Sequence, residues 1–429
     1  MKIHFVGIGG AGCHALAEVL LDRGEQVSGC DRCDSPALRS LAERGATISL
    51  GHDPAHVRGR DLVVYSTAVR PDSEELVAAR ASGARTLSRP ELLAELIAGS
   101  ESVTVAGTHG KTTVTLMLGR ILTEAGFDPT VLVGDHASSR AGGGAWLVAE
   151  ADESDRSLTL HRPRHGVLTN VEFDHANHFR DLADVEALFR RHLEVISGVA
   201  VVCADDARAR AMAAGGRRVT YGFAEDADYR CLPGCPSRVL HRGRELVELR
   251  LGVPGRHNLQ NATAALALAV ELGVDPGPAA AALAGFRGAH RRLERLGRWR
   301  GAVVYDDYGH HPTEVRATVA AAREITDGRV ILVFQPHRYS RFLALRDQLA
   351  CSLKAADAVV VVEIYAAGEE APAGVSAAEL AERVPGACFA PDLKAAGRRL
   401  EELVRPGDLV LVMGAGDVWR LGHELADTG

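Results

Sequence analysis

Residues 103–113 read Val-Thr-Val-Ala-Gly-Thr-His-Gly-Lys-Thr-Thr. An apolar β-branched run leads into a glycine turn, and a lysine and a hydroxyl follow at once. A strand ending in this way is how proteins hold a nucleotide triphosphate. The glycines bring backbone N–H groups to the phosphates, Lys111 supplies a point charge for the β/γ oxygens, and the Thr112 hydroxyl suits Mg²⁺. The common phosphate loop has four residues between its glycines. Here Gly107 and Gly110 bracket only Thr108 and His109, and Thr113 completes the stretch. Working outward, a strand feeding a phosphate loop and a helix is one unit of an α/β fold.

The flanking sequence repeats that alternation. Over residues 1–99, strands are predicted at 3–8, 26–29, 47–50 and 62–65, with helices at 12–23, 36–43 and 73–82. This pattern implies a parallel sheet covered by helices. Residues 98–100, Ala-Gly-Ser, read as a linker. A second α/β unit spans 100–286, with strands at 103–106, 146–150, 166–170 and 199–203. Within it, 221–254 reads as a small β insertion and 258–272 as an alanine-rich helix. A third unit spans 287–429, with strands at 302–305, 330–334, 358–363 and 409–413.

The chain has 429 residues, 46% hydrophobic and 24% charged, which is ordinary globular composition. Its net charge is −7, from 49 basic and 56 acidic residues, and argues against a sequence-independent grip on nucleic acid. No apolar stretch reaches the ~18 residues of a membrane span. The N-terminus enters a strand without a basic export region, so a cytoplasmic protein is expected. Among the eight cysteines, Cys30/Cys33 and Cys231/Cys235 are closely spaced. They do not read as zinc sites: no histidine joins them at ligand spacing, and Cys30 closes a predicted strand. The pattern leaves oligomeric state open.

Seven further segments carry chemistry. Gly7-Ile8-Gly9-Gly10-Ala11-Gly12 is a G-x-G-x-x-G between first strand and first helix, with Asp31 at the end of the second strand. The loop accepts any diphosphate; beside a separate triphosphate loop, it suits another nucleotide such as a UDP-sugar. Residues 150–155, Glu-Ala-Asp-Glu-Ser-Asp, follow a strand and offer carboxylates to Mg²⁺. Residues 169–175, Thr-Asn-Val-Glu-Phe-Asp-His, place His175 beyond the next strand end, within reach of a second metal or the transferred phosphoryl group. Residues 255–261, Gly-Arg-His-Asn-Leu-Gln-Asn, set Asn258 and Asn261 three apart at a helix start, to face one cleft, or to cap the helix through Asn258 alone. In the third unit, 306–312 (Asp-Asp-Tyr-Gly-His-His-Pro) and 334–341 (Phe-Gln-Pro-His-Arg-Tyr-Ser-Arg) lie at strand ends, where α/β sheets bind ligands. Arg338 and Arg341 are spaced to hold one carboxylate. Residues 414–417, Gly-Ala-Gly-Asp, offer a further helix-start anion site. Solvated surface charge is the plainer reading of each loop in isolation.

Together these segments resemble the Mur ligase family over nearly the whole chain. The resemblance rests on GIGGAG (7–12), GTHGKTT (107–113), EADESD (150–155), TNVEFDH (169–175), GRHNLQNATAA (255–265), DDYGHHPTE (306–314), FQPHRYSR (334–341) and GAGD (414–417). It implies three domains: a Rossmann-like UDP-sugar domain (1–99), a central P-loop-type ATPase domain (100–286) and a Rossmann-like amino-acid-binding domain (287–429). Gly7, Gly9, Gly10, Gly12 and Asp31 would bind the UDP-sugar. Gly107, Thr108, His109, Gly110, Lys111, Thr112 and Thr113 would bind ATP, with Asn258, Asn261, Arg292 and Asp307. Thr112, Glu150 and His175 would ligate metal. Lys111, Glu150, His175, Arg292 and Asp307 would be the catalytic set, and Tyr308, His310, Arg338 and Arg341 would receive the amino acid.

The activity implied is ATP-dependent amide formation in peptidoglycan precursor synthesis, and with it cell-wall biogenesis, cell shape and division. L-Alanine would be joined to the lactyl carboxylate of UDP-N-acetylmuramate through an acyl phosphate, with Mg²⁺ as cofactor. The nearest alternative attaches a recycled murein peptide to the same UDP-sugar. A nicotinamide oxidoreductase leaves GTHGKTT unexplained, and a non-catalytic UDP-sugar sensor needs losses that the main residue set does not show. Arg156, Leu158, Asn177 and Phe179 depart from the family pattern, and Cys30 stands where serine is common. Several members carry a carbamylated lysine after the metal histidine. No lysine lies between Lys111 and Lys354, so none serves that role here.

Overall fold

A computed structural model of the protein describes residues 1–135 and 138–428. It contains three sheets in two compact units: residues 1–171, 185–250 and 260–285 form the first, and 172–184, 251–259 and 286–429 the second. The fold is three-domain α/β.

In the first unit, a five-stranded parallel sheet runs in the order Thr47–Leu50, Gln26–Asp31, Lys2–Val6, Leu62–Tyr65, Arg85–Ser88. The order reverses beside the first strand, and that switch is where α/β sheets open a crevice for ligand. Ile3, Phe5, Leu16, Val19 and Val64 are fully buried there, each stabilising by about 1.5–3 kcal/mol. Arg85–Ser88 and the helix Arg89–Ala98 were missed in the sequence. The helix opens with a capping box, Ser88 and Glu91, and carries Pro90 in its first turn.

The second sheet has nine strands: Arg244–Leu249, Ser237–His241, Tyr229–Leu232, Arg217–Gly222, Val199–Cys203, His165–Leu168, Glu101–Ala106, Trp146–Glu150 and Thr130–Leu132. The segment read as a small β insertion is β, and its strands extend this sheet. Tyr221 pairs in parallel with Tyr229, and the last two strands add antiparallel hairpins. Alternating burial in Tyr229–Leu232 gave the local signal; its edge-on addition to the sheet is a long-range choice.

The second unit holds six strands in the order Glu294–Trp299, Ala302–Asp307, Leu409–Met413, Val330–Phe334, Ala358–Val362, Cys388–Ala390. All pairs are parallel except the first, an antiparallel edge strand rich in charge. Continuous runs such as Val-Ile-Leu-Val-Phe (330–334) are buried on both faces, as helices on each side of a parallel sheet require. Among the described residues no helix is long and apolar enough to cross a membrane.

Candidate active site

The first glycine loop is shaped by contacts that exclude side chains. Gly7 has φ +80°. A Cβ on Gly9 would meet the Asp31 carboxylate at 2.8 Å, and one on Gly12 would meet Arg89 Cδ at 2.5 Å. Asp31 accepts a 2.8 Å hydrogen bond from the Gly9 N–H, so the acid at the second strand end fixes the loop it was expected to serve. Gly10 is the N-cap of the helix Ala11–Asp22, whose first N–H groups have no intrahelical partner and suit an anion. The crevice is a cavity of about 760 Å³ lined by Gly7, Gly9, Gly10, Asp31, Ser66 and Arg70, among others.

The second loop follows the strand Glu101–Ala106. Gly107 has φ +130° and Gly110 +81°, both in the region that favours glycine. A Cβ on Gly107 would lie 2.0 Å from the Thr169 hydroxyl, and one on Gly110 2.7 Å from Asn261 Oδ1. Thr169 and Asn170 hold the loop: Thr169 Oγ1 donates to the His109 carbonyl at 2.6 Å, and Asn170 Oδ1 accepts from the His109 N–H at 2.9 Å. The Thr108 N–H donates to the Asn170 carbonyl at 3.1 Å. Sequence reasoning quoted these two residues without giving them this task.

Lys111 opens the helix Lys111–Glu124 and is buried. Its Nζ donates to the Gly107 carbonyl (2.8 Å), the Thr108 carbonyl (3.1 Å) and Glu153 Oε2 (2.8 Å), with Asp152 at 3.5 Å. Burial disfavours its charge, but Glu153, Asp152 and Glu150 outweigh burial and hold its pKa above the usual lysine range. Burial pushes the Glu153 carboxyl up to about 7 against the pull of Lys111. Glu153, one residue inside EADESD, was not assigned in the sequence. Thr112 Oγ1 donates to Glu150 Oε2 at 2.9 Å, and the Gly134 N–H donates to the same oxygen at 3.0 Å. A hydroxyl and a carboxylate meeting at the phosphate loop are hard oxygen donors, which fit Mg²⁺. Thr113 is buried behind them. Arg89 lies against Gly12 of the first glycine loop and pairs with Asp155 of the acidic segment.

Asn258 and Asn261 lie on one helix, Arg256–Glu271, with different partners. Asn261 is buried against Gly110. Asn258 Nδ2 donates to the Pro254 carbonyl at 2.6 Å. The helix begins before Asn258, so Asn258 is not its cap.

In the second unit, Asp307 is buried and accepts from the N–H groups of Leu293 and Gly309, each at 2.8 Å. Burial pushes its carboxyl up to about 6 although Arg292 opposes this. Arg291 and Arg292 lie 5.2 and 5.3 Å from the ring centroid of the half-exposed Tyr308. His310 packs edge-on to Tyr308 at 5.6 Å and beside His337 at 5.7 Å; burial keeps His310 neutral. His175 has φ +54°, with its N–H on Asp174 Oδ1 at 2.6 Å.

Arg338 and Arg341, expected to share one carboxylate, have separate partners. Arg341 is buried and grips Asp174, while its Nη1 lies 3.0 Å from His337 Nδ1. Arg338 has φ +68° and its Nη1 lies 3.8 Å from Glu369. Glu172 likewise accepts from Thr313 Oγ1 at 3.0 Å and faces His311 Nδ1 at 3.3 Å. The expected anion site at 414–417 is closed by Gln335, which donates to Asp417 at 2.9 Å and accepts from the Val418 N–H at 3.1 Å. Of the departures from the family pattern, Leu158 and Phe179 are core residues, while Arg156 and Asn177 are exposed.

Residues 2–101 match the family model described as the Mur ligase family, catalytic domain, 105–269 the Mur ligase middle domain, and 291–416 the Mur ligase, glutamate ligase domain. A UDP-N-acetylmuramate–L-alanine ligase of Paenarthrobacter aurescens is 44% identical, covering 99% of this chain and 96% of that protein. One of Kineococcus radiotolerans is 45% identical, covering 99% and 95%. Among solved structures, the UDP-N-acetylmuramate-alanine ligase of Thermotoga maritima superposes with a TM-score of 0.83 at 29% identity, covering 100% of this chain and 99% of that one. A murein peptide ligase of Psychrobacter arcticus gives 0.73 at 26% identity, covering 99% and 98%. Matches to all three domain models, over the segments that carry both glycine loops and the third sheet, show that this chain belongs to the Mur ligase family.

Proposed function

We propose that this protein joins L-alanine to the lactyl carboxylate of UDP-N-acetylmuramate at the expense of ATP, a cytoplasmic step of peptidoglycan precursor synthesis. The observation that carries the reading is the presence of two distinct nucleotide loops in one unit. Gly7–Gly12 opens on a roomy cavity, and Gly107–Thr113 holds Lys111 and Thr112 at a helix start. Relatives named for this reaction are 39–45% identical over nearly the whole chain and favour alanine over a peptide as the amine.

Resonance makes a carboxylate a poor electrophile. Phosphorylation by ATP supplies a leaving group, and the amine displaces phosphate. The protein's part is to position groups and neutralise charge. Residues 1–99 take the UDP-sugar through Gly7, Gly9, Gly10, Gly12 and Asp31. Residues 100–286 take ATP through Gly107–Thr113, with Asn261 behind Gly110, and Asn258, Arg292 and Asp307 complete the ATP contacts. Lys111 neutralises the β/γ oxygens. Thr112, Glu150 and His175 would hold Mg²⁺, which would neutralise charge on the transferred phosphoryl group. Residues 287–429 take alanine: Arg338 receives its carboxylate, Tyr308 and His310 bound its side chain, and Arg341 positions the loop around Asp174.

A coupled phosphate-release assay tests this. Release should require ATP, Mg²⁺, UDP-N-acetylmuramate and L-alanine together. Release with a murein tripeptide but not alanine favours the peptide ligase, and no release with either amine overturns the reading.

A further inference from the structure

We propose that His4, Cys30, His56 and Glu75 form a binding site for one divalent transition-metal ion of the zinc class. The residues are remote in sequence. His4 sits in the strand Lys2–Val6, Cys30 in Gln26–Asp31, His56 in the turn Pro54–Val57 and Glu75 in the helix Glu74–Ala81. The fold brings one donor atom of each within 4.8 Å of all the others. Tetrahedral zinc with these ligands needs separations of about 3.3–3.8 Å, so an inward shift of roughly 1 Å closes the site.

His4 gives the independent sign of a ligand. It is 1% exposed. Its Nδ1 lies 3.0 Å from Ser28 Oγ, and that hydroxyl donates its own hydrogen to the Ile3 carbonyl at 3.1 Å. Nδ1 must therefore carry the proton, which leaves a bare lone pair on Nε2. That buried Nε2 has no hydrogen-bond partner. A histidine held by Nδ1–H and offering Nε2 is the usual form of a metal ligand.

Without an ion, Glu75 accepts from Cys30 Sγ (3.2 Å), His52 (2.8 Å), His56 (2.9 Å) and the Asp53 N–H (3.2 Å). That network accounts for Glu75 and leaves His4 Nε2 unsatisfied. A bound ion satisfies Nε2 and replaces the Cys30 proton. His52 then remains on Glu75 as an orienting partner. A thiolate and a carboxylate bring two negative charges, matched to a divalent ion; Arg60, bonded to the His56 carbonyl at 3.1 Å, opposes with one. The mixed sulfur, nitrogen and oxygen set selects a borderline-soft metal and discriminates against Mg²⁺ and Ca²⁺. His52 and Glu75 also line the 760 Å³ cavity, and the Cys30 carbonyl receives the Gly7 N–H at 2.9 Å. The ion would thus sit under the first glycine loop.

Cobalt titration of the chelator-stripped full-length protein tests the site. We expect one equivalent of Co²⁺ to give intense tetrahedral visible bands and a thiolate-to-cobalt charge-transfer band, both displaced by one equivalent of Zn²⁺. Cys30→Ser should abolish the charge-transfer band. His56→Gln, at a partly exposed position, should weaken cobalt binding by at least ~10-fold, the lower edge of what losing even an outer-shell partner costs. Cys33→Ser, an exposed thiol outside the cluster, should change neither. Circular dichroism identifies folded variants. Absence of a charge-transfer band at stoichiometric cobalt, or its loss in Cys33→Ser with retention in Cys30→Ser, overturns the proposal.

Discussion

Arg341 and Asp174 form a buried, two-pronged ion pair: Arg341 Nε reaches Asp174 Oδ1 at 2.7 Å and Nη2 reaches Oδ2 at 3.1 Å. Burial alone raises the Asp174 carboxyl, but the Arg341 guanidinium, helped by His175, outweighs it and holds the group well below the usual carboxylate range. The pair fastens the segment carrying His175 to the helix Tyr339–Leu353 within one unit. Removing one partner strands a buried charge. Asp174→Asn should therefore cost on the order of 3–5 kcal/mol in urea unfolding. Replacing both residues with apolar ones of similar volume should cost less than the two single changes added. Additive losses would show that the pair is not coupled.

A similar test applies to Lys111 and Glu153, 2.8 Å apart. Lys111→Ala should lower phosphate release by at least ~10²-fold, the scale of removing one preorganised charge-stabilising group. It should also destabilise the fold, because the buried Glu153 loses the cation 2.8 Å away that opposes the cost of its burial. Adding Glu153→Gln should recover stability and leave activity low. Activity within threefold of wild type in Lys111→Ala would falsify the assignment of this loop to ATP.

The loops and the site were legible to different depths. Glycine turns after β-branched runs are local signals, so Gly7–Gly12 and Gly107–Thr113 could be read directly, as could the fully buried strands 199–203, 330–334 and 409–413. The partner of Lys111 could not. EADESD offers four carboxylates, and only the course of the chain past residue 150 turns Glu153 toward Nζ while Glu150 meets Thr112. The spacing of Arg338 and Arg341 suggested one shared task, but Asp174 lies 167 positions from Arg341 and captures it. The His4, Cys30, His56 and Glu75 cluster was invisible for the same reason. Metal ligands were sought at short spacings around Cys30–Cys33, whereas the parallel sheet gathers them from separate elements. Glu294–Trp299 was missed because it is a charged edge strand with one buried residue, and β periodicity is weak there.

The first glycine loop should be sensitive to one methyl group. Gly9→Ala drives its Cβ to 2.8 Å from Asp31 Oδ2, and the Asp31 contact with the loop must shift. Titration calorimetry should show weakened UDP-N-acetylmuramate binding with ATP binding retained, since the second loop is a separate structure. NAD and NADP should not bind either protein. Micromolar nicotinamide binding would return this loop to the dinucleotide reading.

Asp307 predicts a pH dependence of stability. Burial raises its carboxyl to about 6 from a normal value of 3.8, so between those values the folded protein keeps a proton the unfolded chain has released. The associated stability is fully present below pH 3.8 and is lost as pH rises through about 6. That difference in proton affinity corresponds to about 2–3 kcal/mol. Urea unfolding of wild type should show this decline relative to Asp307→Asn, which has no titrating group there. Parallel profiles for the two proteins across this range would place the titration elsewhere.

Arg338 and Arg341 should separate in kinetics. Among the described residues the Arg338 guanidinium is paired only by a 3.8 Å approach to Glu369, and it remains the better candidate for an incoming carboxylate. Arg338→Ala should raise the alanine KM by roughly 30- to 1000-fold, the loss of one charged contact of about 2–4 kcal/mol, with little change in stability. Arg341→Ala should act differently, because its guanidinium already spans Asp174 and His337. It should lower the unfolding free energy first, by stranding Asp174, and reduce kcat as the segment around His175 loosens. Arg341→Lys keeps the charge but not the fork, and should restore part of the stability and less of the turnover. If Arg341→Ala leaves stability unchanged and raises only the alanine KM, then Arg341 binds substrate and Asp174 merely holds its place.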